Sequence, residues 1–528
     1  MRSFNYDAQT KPNHHGLIFS AWVIVSYGLL MGLPSRGFAD WPLAAGPKHN
    51  YQTSGNAPKS FSVARNQSIR WRVPLPNTGE STPVVADGKV FLTCHTPMSA
   101  DSTPGREIYG MCFDAETGEE LWRRELPATR LTDMASGFSD NTAATPVIDG
   151  KYVCFVNVGG SIQTYDHSGQ LIWQKTWVPF GRHHARQQEP LLHDGKVIIL
   201  RTVAEDLPIK ATTKVGAKPL GRGEEFWTRL HAYEISTGKL NWIAEAGSSV
   251  HSLSMLQEIK DGEYAILTGR GGGHQPPEEP YGLSLLRADT GENLWESSIP
   301  SYHAHQNAVW NRRFAAAFLG MQHQTIDINT GDLLSDISLS RDVTLCRYNP
   351  ELKRYLTEKQ IDLYFGKKTR PTTYHTNCLV ENFHFFRTHS QYLIGRVDLV
   401  NEKVEYLQVP VQVVREDSND TVRWNQALEN DVRNQDGFIV YQDKRATLDG
   451  WGHVSAASPI VVGDYLYMPT MIGTVYVIRW NSPELNDESI VSISDLGHAG
   501  RTWSLSSMAY SKGRLYARTM KELICIAE

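Results

Sequence analysis

The chain has 528 residues, 41% of them apolar and 21% charged, with a formal charge of −5. This is ordinary globular composition with material for a large core. There is no long basic run, and a nucleic-acid groove needs clustered Lys and Arg to displace counterions, so nucleic acid is set aside as a partner. Aromatic residues make up 10% of the chain, including 14 Trp, which suits a β-rich protein.

Residues 1–39 read as a secretory signal. A weakly basic stretch with Arg2 and Lys11 leads into the apolar run 17–33, and small residues follow at Gly37 and Ala39. Cleavage is expected after Ala39, leaving a domain over 40–528 that is periplasmic or secreted. The rival reading is an uncleaved anchor, since the run sits at the short end of what spans a bilayer. No Cys follows it, which argues against a lipoprotein anchor, and no later segment is apolar enough to span a membrane.

Export would put the six cysteines in an oxidising setting. Cys94 and Cys112 fall on two strands expected to form a hairpin, so a disulfide between them is expected, with Cys346 and Cys378 as a second candidate pair. Cys154 and Cys525 sit in apolar strands and read as buried thiols. The plainer alternative is that all six are small buried residues. There is no CxxC pair, no CxxCH haem site and no zinc spacing.

From Ile69 onward a repeat dominates. Its tail is clearest in FDAETGEELW ending at Trp122, YDHSGQLIW at Trp173, YEISTGKLNW at Trp242 and RADTGENLW at Trp295, with a worn copy, IDINTGDLLS, and a fainter one after Val397. Its head recurs as TPVVADGKVFL from Thr82, TPVIDGKYVCF from Thr145, EPLLHDGKVII from Glu189 and SPIVVGDYLYM from Ser458. Each copy reads as a four-stranded antiparallel sheet whose Asp-Gly and Thr-Gly turns supply positive φ, and whose Trp is large enough to wedge between sheets. Such sheets cannot bury both faces alone, so they pack radially and close into a ring. The last copy has three strands, and the orphan strand around Trp71 can complete it. The expectation is an all-β, eight-bladed (alternatively seven-bladed) β-propeller, closed by an N-terminal strand.

The tail pattern A-x-D-x-x-T-G-x-x-x-W resembles the repeat of the pyrroloquinoline quinone (PQQ) quinoprotein propellers. The opening Asp40-Trp41-Pro42 followed by Gly46-Pro47 is similar to the start of many secreted members of that group. The resemblance spans essentially 40–528, and its motifs are structural. It implies, for enzymatic members, a PQQ held with Ca²⁺ by carboxylate and amide side chains, an Asp base, a Trp under the quinone and often adjacent cysteines. This chain has no Cys-Cys pair, and its candidate channel residues are mainly His and Arg, which disfavours PQQ with Ca²⁺ and leaves the cofactor unknown.

The insertions fall on one face. The loops between second and third strands run through 96–107, 204–227 and 269–280, and long connections occupy 341–372 and 414–452, while the other turns are short. Long loops gathered on one face favour a binding surface there. The residues approaching each first strand should line the channel mouth, and they are rich in polar groups: Asp140, His184, Arg186, His251, His305, His375, Asn377, His453 and Arg501. Converging imidazoles suit a metal or, with the arginines, an anionic or sugar ligand. The plain alternative is that they satisfy buried carbonyls at blade junctions. GRGGGHQPP lacks the Lys-Ser/Thr of a P-loop and opens no helix, and KATTKVGAK at 210–218 reads as a solvated basic loop.

The expected function is an exported, monomeric, non-catalytic binding or scaffold propeller that takes a protein or polysaccharide on its looped face. Its repeat type resembles the propeller component of the outer-membrane protein assembly machinery. The alternatives are a PQQ-dependent dehydrogenase and a propeller-type polysaccharide lyase or hydrolase with a His/Arg site.

Overall fold

The computed structural model describes residues 40–97, 108–129, 141–179, 189–202, 228–248, 253–270, 281–299, 309–366, 376–388, 390–416, 419–435, 437–442 and 457–528. Each head-and-tail repeat becomes one sheet. In blade 1 the strands Val84–Ala86, Lys89–His95, Ile108–Asp114 and Glu120–Leu126 pair antiparallel in chain order. The Asp-Gly turn between the first two takes φ of 49° at Asp87 and 70° at Gly88, the geometry that matches strand twist.

Blades 2 to 5 repeat this order from first strands at Val147–Ile148, Leu191–His193, Met255–Lys260 and Val309–Trp310. Blade 6 runs from Asn377–Val380 to Lys403–Gln408, and blade 7 from Ile460–Val462 to Ile490–Asp495. Blade 8 combines Ala509–Ser511, Arg514–Arg518 and Glu522–Ile526 with the N-terminal strand Ile69–Pro74, which pairs antiparallel to Glu522–Ile526. The eight-bladed alternative is therefore the one adopted, with the ring closed as the orphan strand suggested. Helix among the described residues is confined to 3₁₀ turns such as Val440–Gln442 and Asp487–Ser489.

The core lies between blades. Val84, Phe91, Cys112 and Trp122 of blade 1 pack against Ile148, Val153, Phe155 and Tyr165 of blade 2. The T-G-x-x-x-W signature is a joint between neighbours. In blades 1 to 5 the turn glycine lies against the Trp of the preceding blade: Gly118 on Trp71, Gly169 on Trp122, Gly238 on Trp173, Gly291 on Trp242 and Gly331 on Trp295. The indoles of Trp71, Trp122, Trp173 and Trp295 also donate to carbonyls of the next blade, at Ala115, His167, Ile235 and Ile328. A β-bulge just before the Trp, as between Cys112 and Phe113, helps aim it across the joint.

Blade 5 has Ser335 in the Trp position, and the series stops. Blade 6 has Glu402 in place of the turn glycine and no bulge in that strand pair. Its aromatic residue, Tyr406, accordingly turns back toward blade 5, where its hydroxyl donates to Leu339 O at 2.5 Å.

The long connections around blade 6 are themselves folded. Val343–Asn349 and Arg354–Ile361 form a hairpin laid parallel onto Lys403–Gln408, making a six-stranded sheet. A second hairpin, Gln412–Glu416 with Asn419–Arg423, is tied to blade 7 by an Arg415–Asp495 ion pair of 2.7 Å.

The expected disulfides are absent, and all six cysteines are free and buried. Cys94 lies opposite Tyr109 and Cys112 opposite Phe91, and the two thiols sit in separate core clusters. Three strands intervene between the strand of Cys346 and that of Cys378, a span of roughly 19 Å at sheet spacing, whereas a bridge needs Cα atoms within about 7 Å. Burial pushes Cys112, Cys154 and Cys378 up to about 12 and Cys525 up to about 11. The native protein should therefore resist a thiol-specific chromogenic reagent and show six reactive thiols after denaturation without reductant. A count of two or four would mean that bridges form.

Candidate binding face at the channel mouth

The central channel is crossed near its short-turn end by Asp40–Thr53. Asp40 accepts from Ser511 Oγ of blade 8 at 2.7 Å, and Trp41 exchanges two 2.9 Å backbone hydrogen bonds with Val85 of blade 1. Pro42 O accepts from Ile148 of blade 2, and Gln52 Nε2 donates to Leu379 O of blade 6 at 2.7 Å. Gln52–Thr53 adds a parallel strand to the inner edge of blade 7. Trp41, Leu43, Ala44 and Tyr51 are buried, so this segment is an apolar plug. His49 and Tyr51 take φ of 56° and 64°, conformations that L-residues hold only when their surroundings enforce them.

Toward the looped end, the residue ahead of the first strand links neighbouring blades at blades 1, 2 and 7. Thr82 N–H donates to Thr145 Oγ1 at 3.1 Å, Thr145 N–H to Glu189 Oε2 at 2.8 Å, and Ser458 N–H to Ser507 Oγ at 2.9 Å. The pattern requires only a hydroxyl at this position, and blade 3 carries a carboxyl instead. Burial pushes Glu189 up to about 7, against the opposing pull of its hydrogen bonds from Thr145. Tyr51 comes up from the plug toward Glu189 and Cys378, and its phenol hydrogen-bonds with Ser458. Removing that phenol in Tyr51→Phe should cost about 1 kcal/mol in a denaturant melt; an unchanged midpoint would show that the bond contributes nothing.

Over blades 7 and 8 the looped face carries a strap, residues 427–435 and 437–442. Asn430 Nδ2 donates to Thr502 O at 2.7 Å, Asp431 N–H to Gly500 O at 3.1 Å, and Thr78 Oγ1 to Gln435 Oε1 at 3.1 Å. Within it Val440 is fully buried, and its N–H donates to Val432 O at 3.0 Å. Between the strap and residues 499–501 lies a cleft of about 750 Å³, lined by Glu429, Asp431, Tyr441, Gln442 and Arg501 among others.

Of the residues expected at the mouth, Arg501 is thus placed in a cleft on the looped face. Asn377 is placed in the joint of blades 5 and 6, where its Oδ1 accepts from His384 Nε2 at 3.1 Å. Asp140, His184, Arg186, His251, His305, His375 and His453 lie outside the described residues. Sequence reasoning missed Glu189 and Tyr51. The signal for Glu189 was present, since it breaks the Thr/Ser pattern before the strand proline. Nothing local marks Tyr51.

A Ca²⁺ cage needs six to eight oxygen ligands, several of them carboxylates. Among the described residues, the mouth offers Glu189 and hydroxyls, and no three His, Cys, Asp or Glu side chains converge to hold a metal ion.

Eight four-stranded sheets in a closed ring define a β-propeller. The family described as outer membrane protein assembly factor BamB matches residues 103–342, and over that segment the repeats are of the PQQ-like type. A europium-containing methanol dehydrogenase superposes with a TM-score of 0.52 at 10% identity, covering 94% of this chain and 99% of that one. Quinohemoprotein alcohol dehydrogenase ADHIIG from Pseudomonas putida HK5 gives 0.51 at 11% identity, covering 92% and 80%. BamB from Moraxella catarrhalis gives 0.35 at 12%, covering 75% and 97%. At these identities the likeness is one of fold. No curated protein matches the chain. No helix of the described residues is long and apolar enough to cross a membrane.

Proposed function

We propose that this chain is an exported, non-catalytic binding propeller that holds a protein or polysaccharide on its looped face. The observation that carries this reading is the asymmetry of the two ends. The short-turn end has an apolar plug across the channel, and the looped end carries the strap and the open cleft at Arg501. A propeller that passed solute along its axis would have no use for a hydrogen-bonded plug. A propeller that presents a surface gains from one, because the plug fixes the inner strands from within. The name of the matching family, an assembly factor, agrees with a scaffold role.

Hydroxyl-radical footprinting in the presence of a bound polysaccharide or protein tests the reading. Protection is expected at 427–442 and 498–502. Protection confined to the short turns, such as 87–88 and 194–195, would overturn it. Export predicts a mature chain beginning at Asp40, which N-terminal sequencing of the exported protein would check; an intact Met1 terminus would contradict it.

A further inference from the structure

Blade 6 extends further outward than its neighbours. Its sheet continues past Lys403–Gln408 through Val343–Asn349 to Arg354–Ile361. At sheet spacing, this last strand stands about 10 Å beyond the edge of a four-stranded blade. It pairs with Val343–Asn349 on one side only, so its other row of backbone N–H and C=O groups is open. An open edge is a template for another strand, which proteins commonly blunt with Pro or Lys. This strand has no Pro, and its one Lys, Lys359, is already bound to Glu484 at 2.7 Å. Behind it, Tyr348 stacks on Trp424 with ring centres 4.1 Å apart, and Tyr355 packs edge-on to both. The edge is thus held in shape before anything docks, which lowers the cost of association.

One face of the strand carries Arg354, Leu356 and Glu358, all exposed. Among the described residues, neither Arg354 nor Glu358 forms an ion pair or a side-chain hydrogen bond. The order of the three is self-complementary. In an antiparallel pair of such strands with Leu356 opposite the partner's Leu356, Arg354 falls opposite the partner's Glu358, and the reverse. Residues opposite one another have Cβ atoms about 5 Å apart, within reach of an ion pair. Moving the two-fold axis by one residue sets Leu356 against a charge, and moving it by two sets like charges together. One register is therefore preferred. Lys353 and Gln360 take φ of 51° and 57°, which ends the regular run beyond either charge.

We propose that this chain forms a symmetric homodimer by antiparallel pairing of Arg354–Ile361 with the same strand of a second copy. The monomer expected from the sequence gives way to two rings joined at blade 6. Contact along one strand is at the small end of interfaces, so a Kd on the micromolar order is expected. The dimer is independent of which face binds a partner.

Sedimentation velocity of the full-length exported protein over a concentration series should show a monomer–dimer equilibrium, weakened by salt. Glu358→Arg or Arg354→Glu alone should weaken the dimer by about tenfold or more, and the double exchange should restore it. Both positions are exposed, so unchanged melting temperatures will confirm folding. Under mild oxidation Leu356→Cys should give a disulfide-linked dimer, since the axis brings the two copies of that position within bridging reach. Arg354→Cys, roughly 14 Å from its counterpart, should not. The six native thiols are buried and do not compete. A monomer at every concentration, a dimer indifferent to the charge reversals, or a dimer without the 356 crosslink would each overturn the proposal. Protection of 354–361 from hydrogen exchange only on adding a different exported protein would assign the edge to a foreign strand and overturn the homodimer as well.

Discussion

Replacing Trp173 by alanine should destabilise the propeller by about 3–5 kcal/mol, the cost of emptying a large aromatic site. The ring fills the joint between blades 2 and 3, where Gly238 lies against it and its Nε1–H donates to Ile235 O at 2.6 Å. The glycine half of the joint is equally constrained. A methyl at Gly238 would sit 2.6 Å from the indole on a backbone with φ of 70°. Gly238→Ala should therefore also destabilise, by overpacking and by left-handed strain together. Chemical denaturation of both variants provides the measurement. A shift below about 1 kcal/mol for Trp173→Ala would show that the repeat signature is not the main clamp. Ser335→Ala is the internal control, since blade 5 has no Trp to lose, and it should shift the midpoint little.

Acidification from pH 6.5 to 4.5 should destabilise the protein by on the order of 3 kcal/mol. The source is the joint between blades 5 and 6, where the Trp–Gly pair is missing. There His384 Nε2–H donates to Asn377 Oδ1, which leaves Nδ1 to accept from His323 Nε2–H at 2.8 Å. Both imidazoles are thereby neutral. Phe318 stacks on His384 at 4.7 Å between ring centres, and both imidazoles are fully buried. Burial holds His323 down to about 3 and His384 well below its usual range, and the nearby His323 adds to the reluctance of His384 to charge. A folded pKa below the unfolded 6.5 gives stability that is complete above 6.5 and is lost as pH falls. Each histidine loses up to about 2.7 kcal/mol over those two units. Glu189 acts in the opposite sense: its folded value of about 7 exceeds its unfolded 4.5, so its contribution grows as pH falls through the same window. Two histidines against one carboxyl leave a net loss. Urea midpoints at pH 6.5 and 4.5 should differ in the native chain and converge or reverse in His323→Gln/His384→Gln. An identical acid loss in the double variant would place its origin elsewhere.

The blades were legible because the repeat is local: turn glycines, alternating strands and a Trp four residues past the glycine recur within one segment. The missing Trp at Ser335 was legible too, but not what replaces it. The His323–His384–Asn377 chain joins residues 61 and 7 positions apart across two sheets, and no periodicity announces it. The plug was half read. Asp40-Trp41-Pro42 stood out as a motif, while its place in the channel depends on contacts with Val85, Leu379 and Val461 that only the closed ring creates. The cysteine pairing failed for a plainer reason. Being on adjacent strands does not put two residues in the same register, and Cys94 faces Tyr109 instead. The folded hairpins around blade 6 were hidden because their sequences, rich in charge and poor in turn glycines, carry none of the repeat's punctuation.

Blade 8 imposes an order of events on synthesis. Its outer strand is made near the beginning and its other three at the end, and the Arg72–Glu522 contact within it spans 450 residues. Closing a flexible loop of that length costs about 5 kcal/mol in chain entropy, although seven preformed blades would already hold the ends near one another. Until Glu522–Ile526 has emerged, blade 1 has no neighbour on one side and Ile69–Pro74 has no partner. A chain arrested before that point exposes two bare sheet surfaces and an unpaired edge, which is the form most open to proteases and to association with other nascent chains.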